Sequence, residues 1–238
     1  MRLSSHMTGP AYPGAGGRLP SRGMETRCTT SVLADLVRAY ARHDPPRTVT
    51  VVGNAPLSVC PERAKLVDDS DLVVRMTTFA LDAPDGPPRI GRRTDVVLLH
   101  RAVVPGPGTF YDHSSRLYLL VEPGRLHWER EDRPDWWPVH PVSVPNHPYT
   151  AALKELMGIP AAEAAWPTTG MLAVYLFSEL FPTAAVRFTG TTVVERPEQT
   201  EFAHGWGPAV AVTAEHRLAA EGALLRRWAE QARIELVA

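Results

Sequence analysis

Two residues near the C-terminal end of the chain, His204 and His216, carry the side chain best suited to proton transfer at neutral pH. His216 lies near the predicted start of the last helix, where the positive end of the helix dipole disfavours imidazolium. A neutral imidazole is what a general base requires. His204 lies in the preceding loop and is a candidate donor of a hydrogen bond to an anion. For both residues the alternative is an ordinary histidine that faces solvent.

A second candidate is the segment 167–170, Pro-Thr-Thr-Gly, which opens a helix that is apolar almost all round. The first turn of a helix presents free backbone N–H groups and the positive end of its dipole, which together attract anions. Thr168 and Thr169 add two hydroxyl groups, and Gly170 follows them directly. Simple capping of the helix by a threonine is the alternative interpretation.

The third candidate is the pair Gly53 and Asn54, which follows a short run of β-branched apolar residues. Glycine allows a tight turn that a side chain would block, and an asparagine at the carboxyl end of a strand can present its amide to a ribose or a phosphate. An asparagine chosen only for its tolerance of turn geometry is the alternative.

Strands and helices must position these residues, and the hydrophobic pattern of the sequence predicts where those elements lie. Short buried strands are expected at residues 48–52, 72–76, 95–99, 116–121 and 186–189, and helices at 30–43, 170–181 and from Thr213 to about 233. Strands separated by spacers of helix length favour crossover connections and a parallel sheet. The predicted fold class is α/β, a single-domain Rossmann-like α/β/α sandwich with a mainly parallel sheet and its ligand loops at the carboxyl ends of the strands.

The composition limits the function classes. The 238 residues suit one large domain, and 25 basic against 26 acidic residues give no field that would draw nucleic acid or an acidic membrane. Cys28 and Cys60 do not make a disulfide framework, and no apolar stretch approaches the roughly 20 residues of a membrane span. We therefore expect a soluble cytoplasmic protein, with a disordered tail over residues 1–26 and one domain over 27–238.

Two further groups of residues are candidates for a metal site and for contacts with a sugar. Asp69 and Asp71 form an Asp-x-Asp pair of the kind that binds divalent metals, but the pair precedes the strand at 72–76 and should lie at the edge of the sheet away from the ligand loops, so no metal site is predicted. Trp128, Trp136 and Trp137 lie in a long aromatic segment and are candidates for stacking on a sugar or closing a lid. Packing of that segment explains them equally well.

Three groups of segments, in order along the chain, resemble the sialylmotifs of glycosyltransferase family 29, the sialyltransferase family. Residues 51–54, 69–76 and 90–96 are similar to the large motif, and 167–172 with 186–190 to the small motif. His216 and Glu221 match the His-x4-Glu spacing of the very small motif. Because Glu221 does not share a helix face with His216, we expect it to brace a neighbouring loop.

The resemblance implies a variant of the GT-A fold and a bacterial, soluble relative of that family. It implies inverting, metal-independent transfer of sialic acid or a related acidic sugar from a CMP-sugar donor to an acceptor hydroxyl, with no cofactor. His216 would deprotonate the acceptor, for which a glycan, a lipid precursor and a small metabolite are the alternatives, and His204 would contact the departing phosphate. The donor-binding residues implied are Gly53, Asn54, Arg75, Thr77, Thr168, Thr169 and Gly170.

One substitution within the motifs bears on the donor, since Thr77 stands where the family has an asparagine. Two other functions remain open at this point. The same pocket could hydrolyse a CMP-sugar, because water can attack where a sugar hydroxyl does. It could also bind a cytidine nucleotide without catalysis, as a module of a larger biosynthetic complex.

Overall fold

The computed structural model describes residues 22–101, 103–106, 108–126 and 137–238. Seven strands within these residues form one sheet in the order β5-β4-β3-β2-β1-β6-β9, and all neighbouring strands in it are parallel. The strands of this sheet are β1 Thr48–Val52, β2 Leu72–Met76, β3 Val96–Leu99, β4 Leu117–Leu120, β5 Val142–Ser143, β6 Ala185–Thr189 and β9 Glu235–Val237. A separate antiparallel hairpin is formed by β7 Glu201–His204 and β8 Gly207–Ala211.

The central strands are buried on both faces. Every residue of β2, β3 and β4 is buried, as is every residue of β1 except the first. A parallel sheet covered on both sides requires such continuous apolar runs, because successive side chains point to opposite faces and neither face meets water. The strands predicted from apolar runs therefore form in the sequence segments where they were expected.

Helices cover the two faces of the sheet. The α-helices are α1 Arg22–Arg38, α2 Pro61–Asp69, α3 Ala152–Leu156, α4 Thr169–Leu180 and α5 Leu218–Glu230. Helix α4 is buried almost all round, and α1 and α5 pack beside it in one large apolar cluster. On the opposite face Val67 of α2 packs against Val52 and Val73. The α/β sandwich with a parallel sheet is confirmed.

The helix boundaries differ from the predictions at two places. Helix α1 begins at Arg22 and ends at Arg38, so residues 22–26 belong to a helix and the predicted tail is too long at its C-terminal end. The rest of the tail, residues 1–21, lies outside the described residues. Helix α5 begins at Leu218 with Arg217 at its N-cap, so the expectation of a helix capped by Thr213 is wrong. None of the helices in the described ranges has the length and apolarity of a transmembrane segment.

Candidate functional site

A cavity of about 370 Å³ opens at the carboxyl edge of the sheet. Its wall includes the residues that directly follow four strands: Gly53 after β1, Thr77 after β2, His100 after β3 and Gly190 after β6. We call it the main cavity. Loops at the carboxyl ends of parallel strands meet at one edge because all the strands run in the same direction, so this is where a ligand site is expected. The start of α4, the hairpin β7–β8 and the segment before α5 complete the wall.

The close approach of Gly53 and Gly190 shapes the floor of the main cavity. The N–H of Gly53 donates to the carbonyl of Thr189 at 2.8 Å, and the N–H of Ala55 donates to the carbonyl of Gly190 at 3.0 Å. A Cβ atom on Gly53 would lie 2.2 Å from the carbonyl oxygen of Gly190. Gly190 has φ of +71°, a left-handed conformation that glycine adopts without strain. Both glycines are therefore required by backbone packing.

Asn54 and Thr77 meet across the ends of β1 and β2. The side-chain amide of Asn54 donates to the hydroxyl of Thr77 at 3.2 Å and to the carbonyl of Met76 at 3.3 Å. Thr77 has φ of +53°, which is unusual for a β-branched residue because the branch crowds the backbone there. A strained residue in the wall of a cavity is typical of a functional site, where the surrounding structure holds it in place.

Thr168 caps helix α4 and is held by Glu221 of helix α5. The Thr168 hydroxyl accepts a hydrogen bond from the N–H of Met171 at 3.2 Å. Glu221 accepts from both the N–H and the hydroxyl of Thr168. Burial raises the pKa of the Glu221 carboxyl to about 7, and the two hydrogen bonds from Thr168 oppose that rise. The expectation that Glu221 braces a neighbouring loop is confirmed.

His216 lies in the wall of the main cavity, two positions before helix α5 begins. Its Nδ1 atom is 3.2 Å from the carbonyl oxygen of Trp166. A carbonyl oxygen only accepts, so this hydrogen bond requires the proton on Nδ1 and leaves Nε2 unprotonated in the neutral ring. Burial lowers the pKa of His216, which favours the neutral form. The ring thus has the state of a general base, through burial rather than through a position in the first turn of α5.

The hairpin β7–β8 brings His204 and Trp206 over the main cavity. Their rings stack with centroids 4.7 Å apart and an interplanar angle of 10°. The N–H of Gly205 at the turn donates to the carbonyl of Asn54 at 3.0 Å, which ties the hairpin to the end of β1. Burial lowers the pKa of His204. His204 therefore reaches the same cavity as Asn54, although 150 positions separate them in the sequence.

Most of the residues predicted for the site surround this one cavity. They are Gly53, Asn54, Thr77, Thr168, Thr169, Gly170, His204 and His216. Arg75 is not among them, because its side chain points to the other face of the sheet. It is 1% exposed, and its Nε atom donates to the carbonyl of Arg93 and the hydroxyl of Thr94, both at 3.0 Å. Arg75 therefore organises the loop before β3, beside a second cavity of about 280 Å³.

The described tryptophan among those suggested for a lid, Trp137, does not lie at the main cavity. Trp137 is buried in an apolar cluster with Phe79, Val97 and Leu99 on the opposite face of the sheet, so it does not line the main cavity. Its apolar ring is used for packing, which corrects the suggestion of stacking on a sugar. Trp128 and Trp136 lie outside the described residues. The tryptophan in the wall of the main cavity is Trp206.

The wall residues that were not predicted include His100, Phe202 and Trp206. His100 directly follows β3, and the rule that ligands bind at the carboxyl ends of strands would have selected it. Phe202 and Trp206 belong to the hairpin, whose short strands are exposed or half-buried and lack a clear apolar pattern. No local signal in the sequence indicates them.

The ionisable groups in the described wall of the main cavity are three histidines and one buried glutamate: His100, His204, His216 and Glu221. Asp71, one of the two aspartates of the Asp-x-Asp pair, lies at the opposite edge of the sheet, away from the main cavity. Its carboxylate accepts hydrogen bonds from the backbone N–H groups of Arg47 at 2.8 Å and Thr48 at 3.1 Å. These bonds and the nearby His43 lower the pKa of Asp71 to about 2, against the opposing effect of desolvation. Within the described ranges no group of three or more His, Cys, Asp or Glu side chains could hold a metal ion.

The chain is an α/β domain whose parallel sheet has a cavity at its carboxyl edge, lined by strand-end turns, a helix start and histidines. No protein-family model and no curated protein matches the chain. The fold is similar to two crystal structures of a mammalian sialyltransferase, one of them in complex with Gal-beta-1-3GalNAc-ortho-nitrophenol. The TM-scores are 0.50 and 0.53 at 15% identity, over 93% of this chain and 81% of the other. The similarity establishes the fold.

Proposed function

We propose that this protein is an inverting, metal-independent glycosyltransferase that moves sialic acid or a related acidic sugar from a CMP-sugar donor to an acceptor hydroxyl. One observation carries the proposal: Asn54, the Thr168–Thr169 turn and His216 line a single cavity although they are far apart in sequence. Their types and positions match the motifs on which the resemblance to sialyltransferases rests. The similarity of the fold to a mammalian sialyltransferase supports the same class of activity.

In the proposed reaction, the donor binds along the strand ends and the start of α4. The amide of Asn54 and the hydroxyl of Thr77 contact the nucleotide. At the start of α4, the N–H groups of Thr169 and Gly170 and the hydroxyl of Thr169 hold an anionic or hydroxyl group of the donor, while Thr168, bonded to Glu221, positions this turn. Asn54 and Thr77 are already joined by a hydrogen bond, so their side chains are oriented before the donor arrives.

The transfer step uses the neutral ring of His216. Nε2 takes the proton of the acceptor hydroxyl, the acceptor oxygen forms a bond to the anomeric carbon, and the bond from that carbon to the phosphate oxygen breaks. Its electron pair leaves with cytidine monophosphate, and attack from the opposite side inverts the anomeric centre. His204 donates a hydrogen bond to the phosphate as its charge develops.

The polar side chains that line the main cavity suit this reaction without a metal ion. The carboxyl group in its described wall belongs to Glu221, and both oxygens of that group are bonded to Thr168. Divalent magnesium and calcium prefer sites with several carboxylate oxygens, and the described wall offers the single carboxyl group of Glu221. Imidazole, hydroxyl and amide groups are instead available to stabilise the phosphate.

The proposal is tested by thermal shift with CMP, CDP, UMP and UDP, each with and without EDTA, followed by incubation with a CMP-sugar. A ligand that binds only the folded protein raises the melting temperature. We expect stabilisation by CMP that EDTA does not change, and transfer of the sugar when an acceptor is present. Stabilisation only by UDP with a metal ion would contradict the proposal.

The same incubation separates the two alternative functions. Rapid release of CMP and free sugar, equally fast with or without acceptors, would identify a hydrolase. Binding of CMP with no turnover of any CMP-sugar would identify a non-catalytic module, and His216→Ala would then have no activity to remove.

A further inference from the structure

Two exposed valines stand at the mouth of the main cavity. Val104 is 76% exposed and Val210 is 50% exposed, and both line the cavity from different segments of the chain. Val103 and Phe202 line the same cavity, and we call these four residues the apolar surface. Single apolar residues on a protein surface are common, but apolar residues grouped around the opening of a cavity indicate a binding surface.

Hydrogen bonds hold the backbone that carries these valines. The carbonyl of Val104 accepts a hydrogen bond from the hydroxyl of Thr78, which is buried. Val210 is paired with Phe202 across the hairpin, so the two side chains lie on the same face of the two strands. The bond from Gly205 to Asn54 ties the hairpin to the sheet. The apolar surface is therefore preformed.

The groups proposed to bind the donor and the exposed valines come from different segments of the chain. The former come from the ends of β1 and β2 and from the start of α4, whereas Val104, Phe202 and Val210 come from the segment after β3 and from the hairpin. His204 and His216, the two proposed catalytic residues, line the same cavity. A molecule on the apolar surface would thus share the cavity with the donor.

The charge of the described wall restricts what can bind there. No lysine, arginine or aspartate lines the main cavity within the described residues, and burial lowers the pKa values of His204 and His216. The helix start and the imidazoles are proposed to hold the anionic donor, so an anionic acceptor beside it would meet like charge and lose hydration without gaining a permanent positive partner. An unsubstituted sugar would leave its hydroxyl groups against valine and phenylalanine, which cannot form hydrogen bonds with them.

We propose that the acceptor carries an uncharged, apolar group next to its reacting hydroxyl-bearing part, as in an alkyl or aryl glycoside, and that this group lies against Val104, Phe202 and Val210. This inference rests on the proposed glycosyltransferase function and specifies its acceptor class. Burying the apolar group between these side chains removes apolar surface from water on both partners.

The test compares hexyl β-D-galactoside with methyl β-D-galactoside, which differ only in the length of the alkyl chain. Calorimetry on protein saturated with CMP measures affinity without requiring turnover. We expect the hexyl compound to bind at least about tenfold more tightly, because its longer chain buries more apolar surface. With a CMP-sugar donor it should also be the better acceptor by a similar factor.

Substitutions of the valines at the mouth of the main cavity test whether these residues cause the preference for the hexyl compound. Val104→Asp and Val210→Asp should each reduce the preference for the hexyl compound about fivefold or more, and should leave the affinity for CMP unchanged. Val32→Asp is the matched control, because Val32 is 63% exposed on helix α1 and does not line the main cavity.

Equal affinity for the two galactosides would overturn the inference, whatever the protein does to the donor. The inference would also fail if the hexyl compound bound more tightly but was never a better acceptor, or if Val32→Asp reduced the preference as much as Val210→Asp. Hydrolysis of the donor with transfer to neither galactoside would instead contradict the proposed function. The calorimetric comparison would still decide the apolar preference in that case.

Discussion

Glu221 accepts two hydrogen bonds from Thr168, one from its backbone N–H at 2.7 Å and one from its hydroxyl at 2.6 Å. The contact joins helix α5 to the N-cap of helix α4 across 53 positions of the sequence. It also couples two parts of the proposed site, because Thr168 caps the turn at the start of α4 and His216 precedes α5. The spacing from His216 to Glu221 thus reflects a structural link between the proposed base and the proposed donor turn.

The first prediction concerns stability and pH. Burial raises the pKa of Glu221 from 4.5 to about 7, so the folded protein holds this proton more tightly than the unfolded chain does. The free energy of unfolding should therefore fall as the pH rises from about 4.5 to 7, by about 3 kcal/mol from this residue, and should then level off. Urea unfolding at several pH values measures the slope.

Glu221→Gln should reduce this slope, since glutamine does not titrate. Glu230→Gln is the control, an exposed substitution on the same helix that should retain the wild-type slope. Asp95, whose pKa is also raised by burial, contributes equally to all three proteins and cancels in the comparison. Identical slopes for the wild type and Glu221→Gln would contradict the assignment.

The second prediction concerns the proposed base. His216→Gln should lower the rate constant for transfer by about 10²–10⁴ and leave the affinity for CMP within about twofold, because the ring acts on the acceptor proton. His204→Gln should weaken CMP binding as well as slow transfer, because His204 is proposed to contact the phosphate. Rate and affinity measured for both variants distinguish the two roles. Unchanged transfer by His216→Gln would remove this residue from the mechanism.

The third prediction is the pH dependence of transfer in the wild type. Burial lowers the pKa of His216 below the ordinary value of 6.5, and the base acts only when it is unprotonated. At saturating donor the rate should be constant around neutral pH and should decline on the acid side, below pH 6.5. A rate that already falls as the pH drops from 8 to 7 would be inconsistent with a buried neutral imidazole as the base.

The fourth prediction concerns the glycines at the floor of the cavity. Gly53→Ala places a Cβ atom 2.2 Å from the backbone oxygen of Gly190, and neither backbone can move without breaking the sheet. We expect a loss of about 2–4 kcal/mol in the free energy of unfolding and loss of CMP binding. Gly207→Ala is the control, because no atom lies within 4 Å of its added Cβ, and it should change stability by less than about 0.5 kcal/mol.

The fifth prediction uses the backbone of Thr77, where φ is +53°. Thr77→Asn should raise stability by about 0.5–1 kcal/mol, since asparagine tolerates this conformation better than a β-branched residue does. If Thr77 contacts the nucleotide, the longer amide should also tighten CMP binding, by about threefold. Ala232→Gly relieves the same kind of strain at φ of +53° in an exposed turn, and should raise stability without changing CMP affinity.

Much of the fold was predictable because its strands are buried on both faces. The runs at β1, β2 and β3 are short, buried and mostly apolar, and the spacers between the predicted strands favour a parallel sheet. Strand β5, whose residues are exposed, and strand β9 at the opposite edge have no such pattern and were not predicted. Edge strands form by pairing with a neighbour, so their sequences need only be compatible with extension.

The start of helix α5 shows why local signals misplace a boundary. Thr213 is a good N-cap residue, but the segment around it is held by tertiary contacts instead of by a helix. The carbonyl of Glu215 accepts from the N–H of Trp166, and His216 is bonded to the carbonyl of Trp166. These bonds come from a segment about 50 positions earlier, which no local pattern can anticipate.

The sequence by itself determined the central strands, the turns that end them and the polar residues placed in those turns, because burial and backbone geometry restrict the residue types at each of these positions. Only the tertiary structure decided which candidates share a cavity. It brought His216 and Thr168 together through Glu221, and it turned Arg75 to the other face of the sheet. Such choices depend on packing between elements distant in sequence, where neighbouring residues carry no information about the partner.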